Sequence, residues 1–153
     1  MLEKSMNPEL RALYQEMILD HGRRPRHFGV PEKFTHKLEA FNPLCGDRLT
    51  LYATIENDEV KNVQFEGKGC AISVASASMM CDEIEGKPCT HAHTVFSRFH
   101  DLMMGKAADA SGIGRLEILA GVKDFPARVK CATLAWHTLE HMLNGEAEPV
   151  STE

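Results

Sequence analysis

The sequence predicts an α+β fold, a small three-stranded antiparallel sheet covered on one face by helices. Period-two alternation of apolar residues runs through residues 49–55 and again through 60–65. From residue 71 onward the apolar residues recur instead at helical spacing. Strands first and helices after is the order of a sheet with its helices gathered on one side. At 153 residues the chain is long enough for one domain with a real core. Residues 1–144 read as that domain and 145–153 as a polar, frayed tail.

Asn7-Pro8 opens the first helix, with Asn as N-cap and Pro at the first helical position. Leu10, Leu13, Tyr14, Met17 and Ile18 form its stripe, and Gly22 stops it. Residues 23–34 are a turn-rich connector. Residues 37–41, 49–55 and 60–65 make an antiparallel meander, the last two joined across Glu56-Asn57-Asp58-Glu59. A helix over 71–85 carries Val74, Ala77, Cys81 and Ile84 on one stripe. A second, over 90–104, carries Val95, Phe99, Leu102 and Met103. Residues 105–114 form a loop and 115–122 a short helix. Pro126 starts the last helix, with Val129, Ala132, Trp136, Leu139 and Leu143 on its apolar side.

Composition narrows the function. A formal charge of -5 argues against nucleic-acid binding. No apolar run approaches the roughly 18 residues of a membrane span, and the first residues lack the apolar core of a signal peptide. The expected setting is cytoplasmic. Thiols stay reduced there, so five cysteines, an odd count, read as metal or redox chemistry rather than a disulfide framework.

Three of the cysteines stand in distinctive surroundings: Asn42-Pro43-Leu44-Cys45-Gly46-Asp47, Gly67-Lys68-Gly69-Cys70 and Arg128-Val129-Lys130-Cys131. Cys45 lies on a loop between strands, and Asp47 is near enough to share a centre with it. Cys70 ends a hairpin strand just before a helix, where unpaired N–H groups favour a thiolate. Cys131, in the first turn of the last helix, falls at the edge of the apolar stripe and is expected to look along the surface. The hairpin places Cys45 and Cys70 at neighbouring strand ends, and the last helix brings Cys131 to the same end. Three thiolates and a carboxylate make a tetrahedral set that zinc accepts, and soft ligands also suit iron or a [2Fe-2S] cluster. With zinc bound, the site carries a net charge of about -2, which Arg128 and Lys130 can offset; either can also guide docking. Cys81, on an apolar stripe, reads as core, and Cys89 as a spare surface thiol.

At these residues the chain resembles the SufU family, a branch of the IscU-like (NifU N-terminal) iron–sulfur cluster assembly proteins. The resemblance rests on NPLCGDR (42–48), FEGKGCAISVASASMM (65–80), FPARVKCATLAW (125–136) and the opening LYQEMILDHGRRPRHFG (13–29), and it runs to about residue 143. It implies an IscU/SufE-like three-stranded fold and a metal site at Cys45, Asp47, Cys70 and Cys131. It also implies sulfur acceptance by Cys45 and a SufS-type pyridoxal-phosphate cysteine desulfurase as partner, with other iron–sulfur assembly proteins downstream. Lys130 stands where IscU proteins have histidine, and no Leu-Pro-Pro-Val-Lys motif is present. Those departures favour zinc-dependent sulfur relay over the alternative, a scaffold on which a [2Fe-2S] cluster is assembled and transferred.

Other motifs compete. His137-Thr138-Leu139-Glu140-His141 matches the inverted zincin pattern H-x-x-E-H. With Val129, Trp136 and Leu143 facing the core, both histidines point away from it, and 12 residues remain for a third ligand. His91-Ala92-His93 reads as polar surface. The pairs Met79-Met80 and Met103-Met104 read as core or groove filler.

Overall fold

The computed structural model describes residues 8–43, 46–106, 113–146 and 150–151. Asn7, the expected N-cap, and Cys45 lie outside the described residues, as does most of the 105–114 loop. Helix α1 (Pro8–Arg23) leads through a connector into strands β1 (His36–Asn42), β2 (Asp47–Glu56) and β3 (Glu59–Lys68). Helix α2 (Ala71–Ile84), a two-residue β4 (Lys87–Pro88) and helix α3 (Cys89–Met103) follow. A 3₁₀ segment (Gly114–Asp124), helix α4 (Pro126–Leu143) and a two-residue β5 (Val150–Ser151) complete the order.

The three-stranded expectation is corrected to a wider sheet. The meander is there, but β4 pairs antiparallel with the start of β3 and β5 pairs parallel with β1, giving the order β4-β3-β2-β1-β5. Two-residue strands carry no alternation, so periodicity cannot reveal them. The frayed-tail reading fails at Val150–Ser151, which pair with Ala40 and Phe41. The short helix expected over 115–122 is instead eleven residues of 3₁₀ geometry.

The β2–β3 hairpin turns on Asn57 and Asp58, both with positive φ (52° and 61°). Two such residues in succession make the type I′ turn that matches strand twist, and Asn and Asp tolerate it. Leu38, Ala40, Leu49, Leu51, Val63 and Phe65 point from the sheet into the core. Across that core, α2 buries both sides of itself, from Ala75 through Cys81. Its alanines and serines allow that close approach, while Val74 is only partly buried. The α1 stripe is looser, with Leu13 50% exposed and only His21 buried among its described side chains. Met104 is likewise exposed, so only three of the four paired methionines fill the core.

The connector covers part of the sheet. His27 carbonyl and Gly29 N–H both bond Phe65, and the Phe28 ring meets Phe65 edge-on at 5.3 Å. A buried network ties α2 to α4. The Ser76 hydroxyl donates to the Ala132 carbonyl at 2.5 Å and accepts from the Trp136 indole N–H at 3.1 Å. All three residues are fully buried, so this hydroxyl fixes the two helices that carry Cys70 and Cys131.

Candidate metal centre

The site forms where β2 begins and where α2 and α4 start. Asp47 is the first residue of β2, paired in register with Asn42 at the end of β1. Across the hairpin Arg48 pairs with Lys68, so Cys70 arrives beside Asp47 two residues after the last ladder pair. Cys70 caps α2: its sulfur accepts from Ser73 N–H at 3.5 Å, and its own N–H donates to Asp47 Oδ1 at 3.0 Å. Pro126 at the start of α4 sets Cys131 in that helix's second turn.

One ligand atom from each of Asp47, Cys70 and Cys131 lies within 4.8 Å of the others. In a tetrahedral zinc site with metal–sulfur bonds of about 2.3 Å, donors stand about 3.8 Å apart, so these three need shift by about 1 Å at most to close on an ion. Two soft sulfurs with one carboxylate oxygen are donors that zinc accepts. The residues therefore fit the metal that the sequence implies. Cys45 is tethered two residues before Asp47 in the chain.

Two glycines make room. At Gly67, φ is 153° and a side-chain carbon would run into the Arg48 carbonyl across the hairpin. At Gly69, a Cβ would stand 2.6 Å from Asp47 Oδ1. No residue but glycine leaves the carboxylate where it is.

The expectation that Cys131 looks along the surface is corrected, because it is 1% exposed. The turn that carries it is covered by the hairpin end, which helix periodicity does not register. Asp47 is fully buried. Arg128, exposed at the rim, has its pKa raised first by the charge of Cys70, then by a hydrogen bond to Cys131. Its guanidinium thus offsets the sulfurs. Lys130 is half-buried on the same turn of the helix as Cys131. Cys81 is fully buried and burial pushes its thiol well up, as for an inert core cysteine. Cys89 is partly buried against the core rather than a free surface thiol.

The H-x-x-E-H histidines lie elsewhere. His137 does not face away from the protein. It packs edge-on against Phe96 and His100 of α3, with ring centres 5.6 and 5.5 Å apart, and burial lowers its pKa. Glu140 pairs with His93 at 3.0 Å, and His141 with Glu146 at 3.1 Å. Among the described residues this seam brings no three donors around one point.

Fold and site together define a small α+β domain with a thiolate–carboxylate cluster at one end of its sheet. Residues 13–132 match the NifU-like N terminal domain, and the chain belongs to that family. It is 45% identical over 137 residues to the zinc-dependent sulfurtransferase SufU of Bacillus subtilis (strain 168), covering 89% of this chain and 92% of that one. It is 36% identical over 140 residues to the iron–sulfur cluster assembly scaffold protein IscU of Streptococcus pyogenes serotype M1, covering 91% and 87%. A crystal structure of SufU from Fervidobacterium islandicum AW-1, described as an iron–sulfur cluster assembly scaffold of the SUF system, superposes with a TM-score of 0.81. Identity there is 37%, over 87% of this chain and 98% of that one. No helix among the described residues is long and apolar enough to cross a membrane.

Proposed function

We propose that this protein is a zinc-dependent sulfur carrier of iron–sulfur cluster assembly, taking persulfide sulfur from a SufS-type cysteine desulfurase through Cys45. The observation that carries the reading is the convergence of Asp47, Cys70 and Cys131 within 4.8 Å, and Cys45 precedes Asp47 by two residues in the sequence. The similarity to a zinc-dependent sulfurtransferase supports it.

Cys45, Asp47, Cys70 and Cys131 would hold the metal, which when bound keeps its cysteine ligands as thiolates at neutral pH. In the transfer, the Cys45 thiolate attacks the outer sulfur of the desulfurase's cysteine persulfide. A new S–S bond forms on Cys45, the old one breaks, and the desulfurase cysteine leaves as a thiolate that takes up a proton. The sulfur moves at its own oxidation level, so no outside oxidant is required. Arg128 offsets the negative charge that two thiolates, Cys70 and Cys131, bring together. Asp47 holds the Cys70 backbone and so the start of α2.

The test is desulfurase turnover with and without this protein, with mass spectrometry of Cys45. Wild type should stimulate turnover and gain the mass of a sulfur atom on Cys45; Cys45→Ala should do neither. Sulfur retained elsewhere on that variant would overturn the assignment. The IscU relative favours a second reading, a scaffold carrying a [2Fe-2S] cluster as cargo on the same donors. Protein purified without oxygen decides between them: colourless with zinc for the carrier, brown with iron and sulfide for the scaffold.

A further inference from the structure

Away from the thiolates, the end of α1, the connector, the last turns of α2 and the start of the 3₁₀ segment enclose a cleft of about 480 Å³. A second lobe of about 340 Å³ shares Met17, His21, Asp82 and Arg115 with the first. Arg23, Arg24, Arg26 and Arg115 line the larger lobe, half of the arginines of a chain whose formal charge is -5.

Two of the carboxylates beside them have close partners of their own. Asp20 pairs with Arg26 at 2.8 Å, and Asp82 with His27 at 2.8 Å. Arg23, Arg24 and Arg115 form no salt bridge among the described residues, and the four guanidiniums of the larger lobe outnumber its three carboxylates, Glu16, Asp20 and Asp82. Like charges around one concavity repel each other and draw an anion in. The floor adds a polar group. His21 is 7% exposed, and its Nδ1 lies 2.8 Å from the Ser78 hydroxyl, which accepts from the Arg26 N–H at 2.8 Å. With that acceptance made, the hydroxyl's proton is free to go to Nδ1. In the tautomer that receives it there, Nε2 carries the ring proton, a donor on a side chain that lines both lobes.

We propose that this cleft binds a small organic anion, its phosphate or carboxylate oxygens held by Arg24 and Arg115 and its carbon skeleton laid against Leu13 and Met17. A guanidinium meets either group with two parallel N–H bonds, which a surface lysine does not. The volume is in the range of small-molecule sites, and a bare inorganic ion would leave most of it unfilled. An ordinary solvated charge patch has neither the concavity nor the buried imidazole beneath it.

The test is calorimetric titration of the full-length, zinc-loaded protein with glycerol 3-phosphate, with glutarate and with a hexaglutamate peptide, at low salt. At least one of the two small anions should bind saturably with a Kd of about 1 mM or tighter. Whichever binds identifies phosphate or carboxylate as the preferred group. Arg24→Ala and Arg115→Ala, at exposed positions where folding is checked by circular dichroism, should each weaken it by about tenfold. Arg98→Ala, exposed on α3, should leave it unchanged. Three results would overturn the proposal: no saturation by about 20 mM, equal weakening by Arg98→Ala, or binding of hexaglutamate alone, which would mark a docking face for an acidic protein segment.

Discussion

The Asp47–Cys70–Cys131 cluster and the imidazole seam between α3 and α4 are built from residue types that bind the same metals, yet their donors are arranged differently. In the cluster each donor comes from a different element: the start of a strand, the cap of a helix and the second turn of another. Three backbones approach from three directions, so the side chains point at one spot. In the seam, His93 and His100 sit on one helix and His137, Glu140 and His141 on its neighbour. Two facing rows give pairs, such as His93–Glu140, and the rings of Phe96, His100 and His137 pack on one another. Ligand type alone does not make a metal site; convergence does.

The strongest way to break this comparison is to remove one donor from each region. Cys131→Ala should lower zinc from about one ion per chain to nearly none, because a buried three-donor remnant loses a thiolate that no neighbour replaces. His137→Gln should leave zinc content at the wild-type level. Metal analysis of both proteins after gel filtration decides it, and equal losses would mean that the seam, too, holds the ion.

A finer cut separates the two jobs of Asp47. Asparagine keeps an oxygen for the Cys70 N–H but not the charge, whereas alanine loses both. Both variants should bind zinc more weakly in competition with a chelator. In the metal-free state, Asp47→Ala should lose about 1–3 kcal/mol through the orphaned Cys70 N–H, and Asp47→Asn much less. Urea titrations that put the two variants together would show that the hydrogen bond contributes nothing.

Gly69→Ala tests convergence without touching any donor. Its methyl would lie 2.6 Å from Asp47 Oδ1, so the carboxylate must swing away. Zinc affinity should fall by about tenfold or more, while the unchanged residue set keeps the stoichiometry near one. Wild-type affinity in this variant would mean that the position of Asp47 does not matter to the ion.

Much of this was legible in the sequence, for reasons that also mark the boundary. The hairpin register follows from alternation and a turn of Asn57 and Asp58, and it carries Asp47 and Cys70 to one place. Helix spacing located α2, α3 and α4 within a few residues. Periodicity failed where packing decides instead. It set Cys131 on the surface, although the hairpin end buries it, and it turned His137 outward, although α3 receives it. The Ser76 bridge to Trp136 joins residues sixty positions apart, and no local pattern signals such a pair. Gly69 was visible only as a neighbour of Cys70; its function lies in the space it leaves for Asp47.

The smallest effect concerns the seam's role in stability. His137 has its pKa lowered from 6.5 by burial first, then by the positive charge that His100 and His141 would carry. His21 is lowered too, by burial and then by Arg26. Above about pH 6.5 both rings are neutral whether the chain is folded or not, and they contribute nothing to pH dependence. As pH falls through that value, the unfolded chain takes up protons that the folded one refuses. Stability therefore drops in the window between the unfolded pKa and the lower folded ones, with no further loss from these rings below it. Metal-free protein should show a lower urea midpoint at about pH 5.5 than at about pH 7.5. His137→Gln should flatten that difference, because glutamine has no proton to refuse. A variant whose midpoint falls as steeply as wild type would place the acid sensitivity in His21 or the carboxylates, and would leave the seam as packing alone.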